Sequence, residues 1–300
     1  MTQEEVIPSR AQLYALLGVM LLFWSANFVF AKVALRELPS FFVVCLRAVL
    51  SGLFMIPVYA AFQNRIDRGT RKWTWADAPR LAGIGAIGVM GNQALFVIGL
   101  SKTSVAHASV ITAMGPMFTL VGASLIGHER LSGARVAGMS VAAAGVVALQ
   151  FGKAGSGSPS LGGDLILLVS VMILAAFTIF GKRLAAEFGS VTLNAFAFVC
   201  GGLLLAPPAL WQAWNLGLQR VSAVAWGGVL YMALFPSVAG YLIYSYALRH
   251  LPASRVSSVV YLQPVAATAL AAAFLREVPA TSFAAAAALV LSGVYITERN

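Results

Sequence analysis

The sequence predicts an all-α membrane protein: ten transmembrane helices in two inverted five-helix repeats. Three observations carry this prediction. The chain is too apolar for a soluble core, its charges leave ten runs of membrane-spanning length, and segments of its two halves match at nearly one sequence shift.

Composition sets the solvent. Of 300 residues, 60% are hydrophobic and only 10% are Asp, Glu, Lys or Arg, against about 25% charged in ordinary soluble domains. Mean hydropathy is +0.85. A soluble globule of this size must still cover itself with polar groups. A soluble enzyme, a disordered chain and a secreted disulfide scaffold are therefore excluded, and lipid is the expected partner surface. Cys45 and Cys200 both fall in apolar runs and read as buried small hydrophobes. Barrel strands are excluded because they would alternate apolar and polar residues over about ten positions.

The runs free of Asp, Glu, Lys and Arg are 11–31, 38–64 (broken by Arg47), 81–101, 103–128, 136–152, 165–181, 188–219, 221–248, 256–275 and 278–297. Each reaches the roughly 17 to 25 residues needed to cross about 30 Å of hydrocarbon as a helix. The first follows Glu4 and Glu5 without a small-residue cleavage site, so it reads as a retained helix rather than a signal peptide. It carries Trp24, Asn27 and Phe28, with Trp24 and Phe28 on one face. Helix two holds Arg47 about two turns from its outer end, placed to snorkel, cap carbonyls or meet a substrate carboxylate, with structural pairing the favoured role. Helix three carries Asn92, Gln93 and Phe96. It also contains a literal GxGxxG at Gly83, Gly85 and Gly88. With no preceding strand these glycines predict close helix contact, not dinucleotide binding. Helix four holds His107, expected as a packed histidine, and Pro116, and is closed by Glu129.

Helix five shows a small-residue stripe, Ala134, Gly138 and Ala142, and residues 284–288 of helix ten are all alanine. Both read as peripheral packing elements or a dimer face, leaving monomer and dimer open. The stretch Gly155–Ser160 is a linker. Helix six carries Phe177 and ends at Lys182. Helix eight supplies Tyr231, Phe235, Tyr241 and Tyr244, with a kink expected near Pro236. Helix nine supplies Tyr261 and Gln263 just before Pro264, and Glu277 follows it. Amides at membrane depth cost several kcal/mol unless paired or wetted, so they should face other helices or a cavity. Trp24, Asn27, Phe28, Asn92, Gln93, Phe96, Phe177, Tyr231, Phe235, Tyr241, Tyr244, Tyr261 and Gln263 are accordingly the expected substrate-binding set. Lys32, Arg47, Pro116, Glu129, Lys182, Pro264 and Glu277 are the expected structural or gating set.

The halves, residues 11–152 and 161–297, repeat. FVFAK (Phe28 to Lys32) resembles TIFGK (Thr178 to Lys182) at a shift of 150, and GPMFTLVGASLIGHER resembles QPVAATALAAAFLREV at a shift of 148. The second match pairs Pro116 with Pro264 and Glu129 with Glu277; the same shift pairs Gln93 with Tyr241 and Phe96 with Tyr244. Five helices per half is odd, so the second half enters inverted. Inverted repeats are a transporter architecture with a midplane site between rocking halves.

FWSANFVFAK (Phe23 to Lys32), Arg47, the proline of helix four with GHERLS (Gly127 to Ser132), and LPASRVSSVVYLQPV (Leu251 to Val265) with the REV around Glu277 resemble the EamA family of the drug/metabolite transporter superfamily. Within it the aromatic-rich chain is most similar to YddG-type aromatic amino acid exporters. The resemblance implies two EamA repeats and export of small metabolites, amino acids among them.

With a cytoplasmic N-terminus, the inner segments hold 13 basic residues and the outer segments six. The positive-inside rule then puts both termini in the cytoplasm of an inner-membrane protein. Orientation and anionic lipid account for the net charge of +10, so no nucleic-acid partner is expected. No catalytic signature, metal cluster or cofactor motif is present, so neither enzyme nor cofactor is expected. None of the ten acidic residues is central in a run, so a carboxylate proton relay is not expected and facilitated movement is the simplest mechanism. The competing readings are a transporter of another solute, such as a drug, sugar phosphate or nucleotide-linked metabolite, and a non-transporting membrane protein.

Overall fold

The computed structural model describes residues 8–126, 132–150, 160–251, 256, 259–277 and 281–299; Glu129 and most of the linker lie outside them. Among the described residues there is no strand. Helix α1 (Arg10–Leu35) opens on a reciprocal cap: the Gln12 amide donates to the Ser9 hydroxyl at 3.2 Å, and the Ser9 amide to Gln12 Oε1 at 2.9 Å. Two orphan donors of the helix start are satisfied at once. There follow α2 (Ser40–Ile66), α3 (Ala78–Leu100), α4 (Val105–Leu125), α5 (Gly133–Gln150), α6 (Leu161–Phe188), α7 (Ser190–Asn215), α8 (Ala223–His250), α9 (Gln263–Leu275) and α10 (Thr281–Arg299).

Among the described residues, seven of these, α1 to α4 and α6 to α8, are long and apolar enough to cross a membrane; α9 and the stretch Ala284–Gly293 of α10 are shorter apolar helices. The ten charge-free runs measure only the distance between charges, not helix length. Helix α9 is cut shorter than its run by the 3-10 turn Val259–Leu262 before it and by Arg276, in the left-handed region at φ 57°, after it. Side chains such as Leu22, Leu203, Leu204 and Trp214 stand exposed on the outer surface, where a lipid solvent would cover them.

Inside continuous helices Pro116 and Pro264 would each remove one hydrogen bond and introduce a kink. Instead, each lies in the first turn of a restarted segment: Gly115–Leu125 after a break at Ala113–Met114, and Gln263–Leu275 after the 3-10 turn. There a missing N–H forfeits no bond. Near Pro236 the helix does depart from regularity, as a π segment, Ala233–Ala239. A second π segment, Ala86–Gly91, sits at the matching place in α3 without any proline.

Helices α2 and α7 cross where Gly52 and Gly202, 150 residues apart, face each other. A Cβ on Gly52 would lie 2.8 Å from the Phe198 carbonyl oxygen, and one on Gly202 would lie 3.0 Å from that of Ala48. Of the GxGxxG glycines, Gly85 abuts Ala197 and Gly88 abuts Phe177, as close contact requires, whereas Gly83 meets nothing within 4 Å. On the periphery α5 packs on α10. Gly138 and Ala142 of the small-residue stripe lie against Gly293 of the same chain, where a Cβ would come within 2.5 Å of both.

Candidate functional site

Where the two halves meet, a cavity encloses about 520 Å³ of atom-free space, its open mouth included. Its aromatic walls are Trp24 and Phe28 from α1, Phe96 from α3 and Tyr241 from α8. Polar lining comes from Asn27, Arg47, Asn92, Gln93, Thr112 and Gln263, and aliphatic lining from Val171, Leu174, Pro236 and Val260. Eight residues of the expected substrate-binding set thus share one cavity: Trp24, Asn27, Phe28, Asn92, Gln93, Phe96, Tyr241 and Gln263.

The walls are pinned by hydrogen bonds that use the irregular backbone. Trp24 Nε1 donates to the Pro236 carbonyl at 3.0 Å, inside the π segment of α8. The Tyr241 hydroxyl donates to Asn92 Oδ1 at 2.7 Å, and Asn92 Nδ2 reaches the carbonyl and hydroxyl of Ser170, each at 2.9 Å. The Trp24 and Tyr241 rings sit 5.6 Å apart, and Phe28 meets Phe96 edge-on at 5.0 Å.

Arg47 is the unexpected member. It is only 3% exposed. Its Nε donates to the Ser237 hydroxyl at 2.9 Å, and that hydroxyl in turn lies 3.1 Å from Gln93 Oε1. Arg47 Nη1, Gln93 Nε2 and Asn27 Oδ1 are buried with no hydrogen-bond partner among the described residues. No carboxylate lies within ion-pair distance of Arg47 among those residues either. The sequence marks Arg47 as the one charge within a run and favours structural pairing for it. Ser237 takes Nε, and Nη1 is left buried without a partner among the described residues. Run position cannot say which face of α2 looks inward.

Other expected residues fall outside the cavity. Tyr244 and Phe177 form a layer behind its wall: Tyr244 pairs with the Thr178 hydroxyl at 2.6 Å and packs on Trp24, while Phe177 fills the space beside Gly88. Tyr231 and Phe235 belong to a separate aromatic cluster, with Tyr231 stacked on Phe30 at 4.0 Å and Phe235 beside Phe23 at 5.1 Å. The π segment between Tyr231 and Tyr241 explains this. Its wider turns reset the helix phase, so residues that regular 3.6-residue counting puts on neighbouring faces diverge. Tyr261 lies in the 3-10 turn, and its side chain is outside the described residues.

The gating candidates sit at the ends. Lys32 Nζ donates to the Thr103 carbonyl at 2.5 Å, just past α3, and Lys182 Nζ to the Leu251 carbonyl at 3.3 Å, just past α8. Glu277 accepts from the Val105 amide at 3.1 Å, joining the second half to the start of α4. His107 is more than a packed ring: its Nδ1 lies 3.2 Å from Asp164 Oδ2, and Asp164 Oδ1 accepts from the Thr103 hydroxyl at 2.7 Å. That partnership spans 57 residues of sequence and left no local signal. At the opposite set of ends, Asp67 accepts from the Val191 and Thr192 amides at 3.2 and 2.8 Å, capping α7. Gly189, at φ 94°, makes room for that carboxylate, since a Cβ there would sit 1.9 Å from Asp67 Cγ.

Comparison with known proteins gives a consistent picture. The model of the EamA-like transporter family matches residues 10–151 and 161–299. An uncharacterized transporter of Archaeoglobus fulgidus is 27% identical over 96% of this chain and 99% of its own. A probable terminal-alkyne amino-acid exporter of Streptantibioticus cattleyicolor is 26% identical over 77% of each chain. A solved crystal structure superposes with a TM-score of 0.69 at 20% identity, covering 96% of both chains, which shows a shared fold.

Proposed function

Because this chain belongs to the EamA-like transporter family of membrane transporters, we propose that it exports small amphipathic metabolites, most of all amino acids including aromatic ones, by alternating access. The observation that carries this reading is the cavity between the halves, walled by Trp24, Phe28, Phe96 and Tyr241 and edged by amides. Aromatic planes suit an apolar side chain and the amides suit a zwitterionic head. A relative named as a probable amino-acid exporter points the same way, as does the YddG-type resemblance.

In this reading the chain crosses the inner membrane ten times as two inverted repeats, with both termini cytoplasmic. Support comes from the paired π segments of α3 and α8, the facing Gly52 and Gly202, and two lysines that bind the carbonyl just past a helix end. Such equivalences are what a repeat of one five-helix unit would leave behind. A sugar phosphate suits the cavity less well, since Arg47 is its one charged lining residue among those described, and a dianion would call for several cations.

Purified protein in liposomes should mediate saturable uptake or exchange of aromatic amino acids within a panel of all twenty. No flux for any of them would overturn the amino acid reading, and flux of phosphorylated sugars instead would replace it.

A further inference from the structure

We propose that Arg47, with Gln93, is the receptor for the substrate's carboxylate, and that the substrate class is therefore an α-amino acid carried as its zwitterion with a bulky apolar side chain. This rests on the transport reading above and narrows it.

The cavity's unpartnered polar atoms carry the argument. A buried guanidinium edge without an acceptor is costly to leave unsatisfied, more so for a charged group than for a neutral one. Arg47 Nη1 and Gln93 Nε2 are donors, and Asn27 Oδ1 is an acceptor; all three are buried, belong to residues that line the same cavity and have no partner among the described residues. Arg47 Nε and Gln93 Oε1 both meet the Ser237 hydroxyl, at 2.9 and 3.1 Å, and that hydroxyl also lies 2.7 Å from the Met232 carbonyl, so the two side chains converge on one residue of α8. Two donors on converging side chains, one of them cationic, suit the two oxygens of a carboxylate. The remaining acceptor, Asn27 Oδ1, matches an ammonium. One cation balances one carboxylate and would leave the second charge of a dianion unmet; the ammonium rests on the Asn27 acceptor and not on charge balance.

The rest of the lining fits the remainder of such a molecule. Phe28 and Phe96, edge-on at 5.0 Å, with Val171 and Leu174, leave an apolar region for the side chain. Asn92 adds no free group, because both ends of its amide are taken by Tyr241 and Ser170. It positions the wall rather than the ligand.

The test uses the full chain purified in detergent and measures affinity calorimetrically for four probes: L-phenylalanine, L-phenylalaninamide, 3-phenylpropionate and phenethylamine. The amide and the amine lack the carboxylate, and the propionate lacks only the ammonium. Phenylalanine should bind about tenfold or more tightly than its amide, in line with a charge-assisted pair. In Arg47→Gln that ratio should collapse toward unity while phenethylamine affinity is kept or improved. Equal affinities of phenylalanine and its amide for the unaltered protein overturn the assignment, and this comparison stands even if Arg47→Gln fails to fold. A ratio that survives in a folded Arg47→Gln overturns it as well. Binding of 3-phenylpropionate that depends on Arg47, without binding of any amino acid, would keep the carboxylate receptor and reject the amino acid reading. Amino acid binding indifferent to the carboxylate would do the reverse, and no binding by any of the four probes rejects both.

Discussion

Arg47 of α2 and Ser237 of α8 are joined at 2.9 Å, Nε to Oγ, across the boundary between the halves. Ser237 is itself fully buried in the π segment of α8. Arg47, the one cation among the described lining residues, is thus oriented by a hydroxyl from the other half, so its position is sensitive to how the halves sit. Ser237→Ala would leave the charged Nε donor buried without an acceptor. A cost of roughly 1–3 kcal/mol is expected, read as a lower thermal unfolding midpoint together with weaker binding of carboxylate ligands. An unchanged midpoint and unchanged affinity would mean that Arg47 is positioned by something other than Ser237.

The crossing of α2 and α7 gives a purely structural prediction. Gly52→Val places new atoms against the Phe198 carbonyl, where even a Cβ would stand at 2.8 Å. Helix backbone cannot yield as a flexible side chain does, so destabilisation of roughly 1–3 kcal/mol is expected. Gly83→Ala, at a helical site with nothing within 4 Å, should be neutral within about 0.5 kcal/mol. Detergent thermal melts of the two variants side by side check the contrast.

Acid should loosen one end of the molecule. Glu37, between α1 and α2, accepts from the hydroxyl and the amide of Ser222, at 2.6 and 2.7 Å, at the start of α8. Those two bonds, the hydroxyl's first, hold its carboxyl below the ordinary glutamate value. A lowered folded-state pKa stabilises fully above the unfolded value of about 4.3 and is lost as pH falls through the folded one. Unfolding midpoints of the unaltered protein should therefore drop between pH 5 and 3 by more than those of Glu37→Gln. Parallel curves would show that the Glu37 bonds make no difference in solution.

Coupling is the fourth prediction. Among the described residues, the acids with buried side chains, Asp67 and Asp164, lie at helix ends, each held by neighbouring donors. Collapsing the proton gradient across liposomes should leave substrate flux largely intact. The His107–Asp164 pair is the place where that expectation is most exposed, since it joins an imidazole nitrogen to a buried carboxylate at 3.2 Å. Asp164→Asn should leave the pH profile of flux unmoved. A profile that shifts in this variant, together with loss of concentrative flux under uncoupler, would make the pair a proton carrier.

Much of the molecule was legible without coordinates. Low charge and long apolar runs dictate helices in lipid, because an unpaired backbone cannot cross hydrocarbon. The aromatic and amide positions of helices one and three are unusual enough at depth to declare a cavity, and Trp24, Asn27, Phe28, Asn92, Gln93 and Phe96 do line one. What only the tertiary structure decided is phase and partnership. The π segment of α8 turns Tyr241 inward and leaves Tyr231 and Phe235 in an outer cluster, which a regular period cannot anticipate. Pro116 and Pro264 start helices instead of bending them, because the chain breaks just before each. Arg47 is a lone charge in any reading of the sequence. Its unpaired edge exists only because α2, α3 and α8 bring Ser237 and Gln93 beside it and no carboxylate among the described residues within reach. The energy of a buried charge depends on what surrounds it in space, and residues 190 positions apart supply that here.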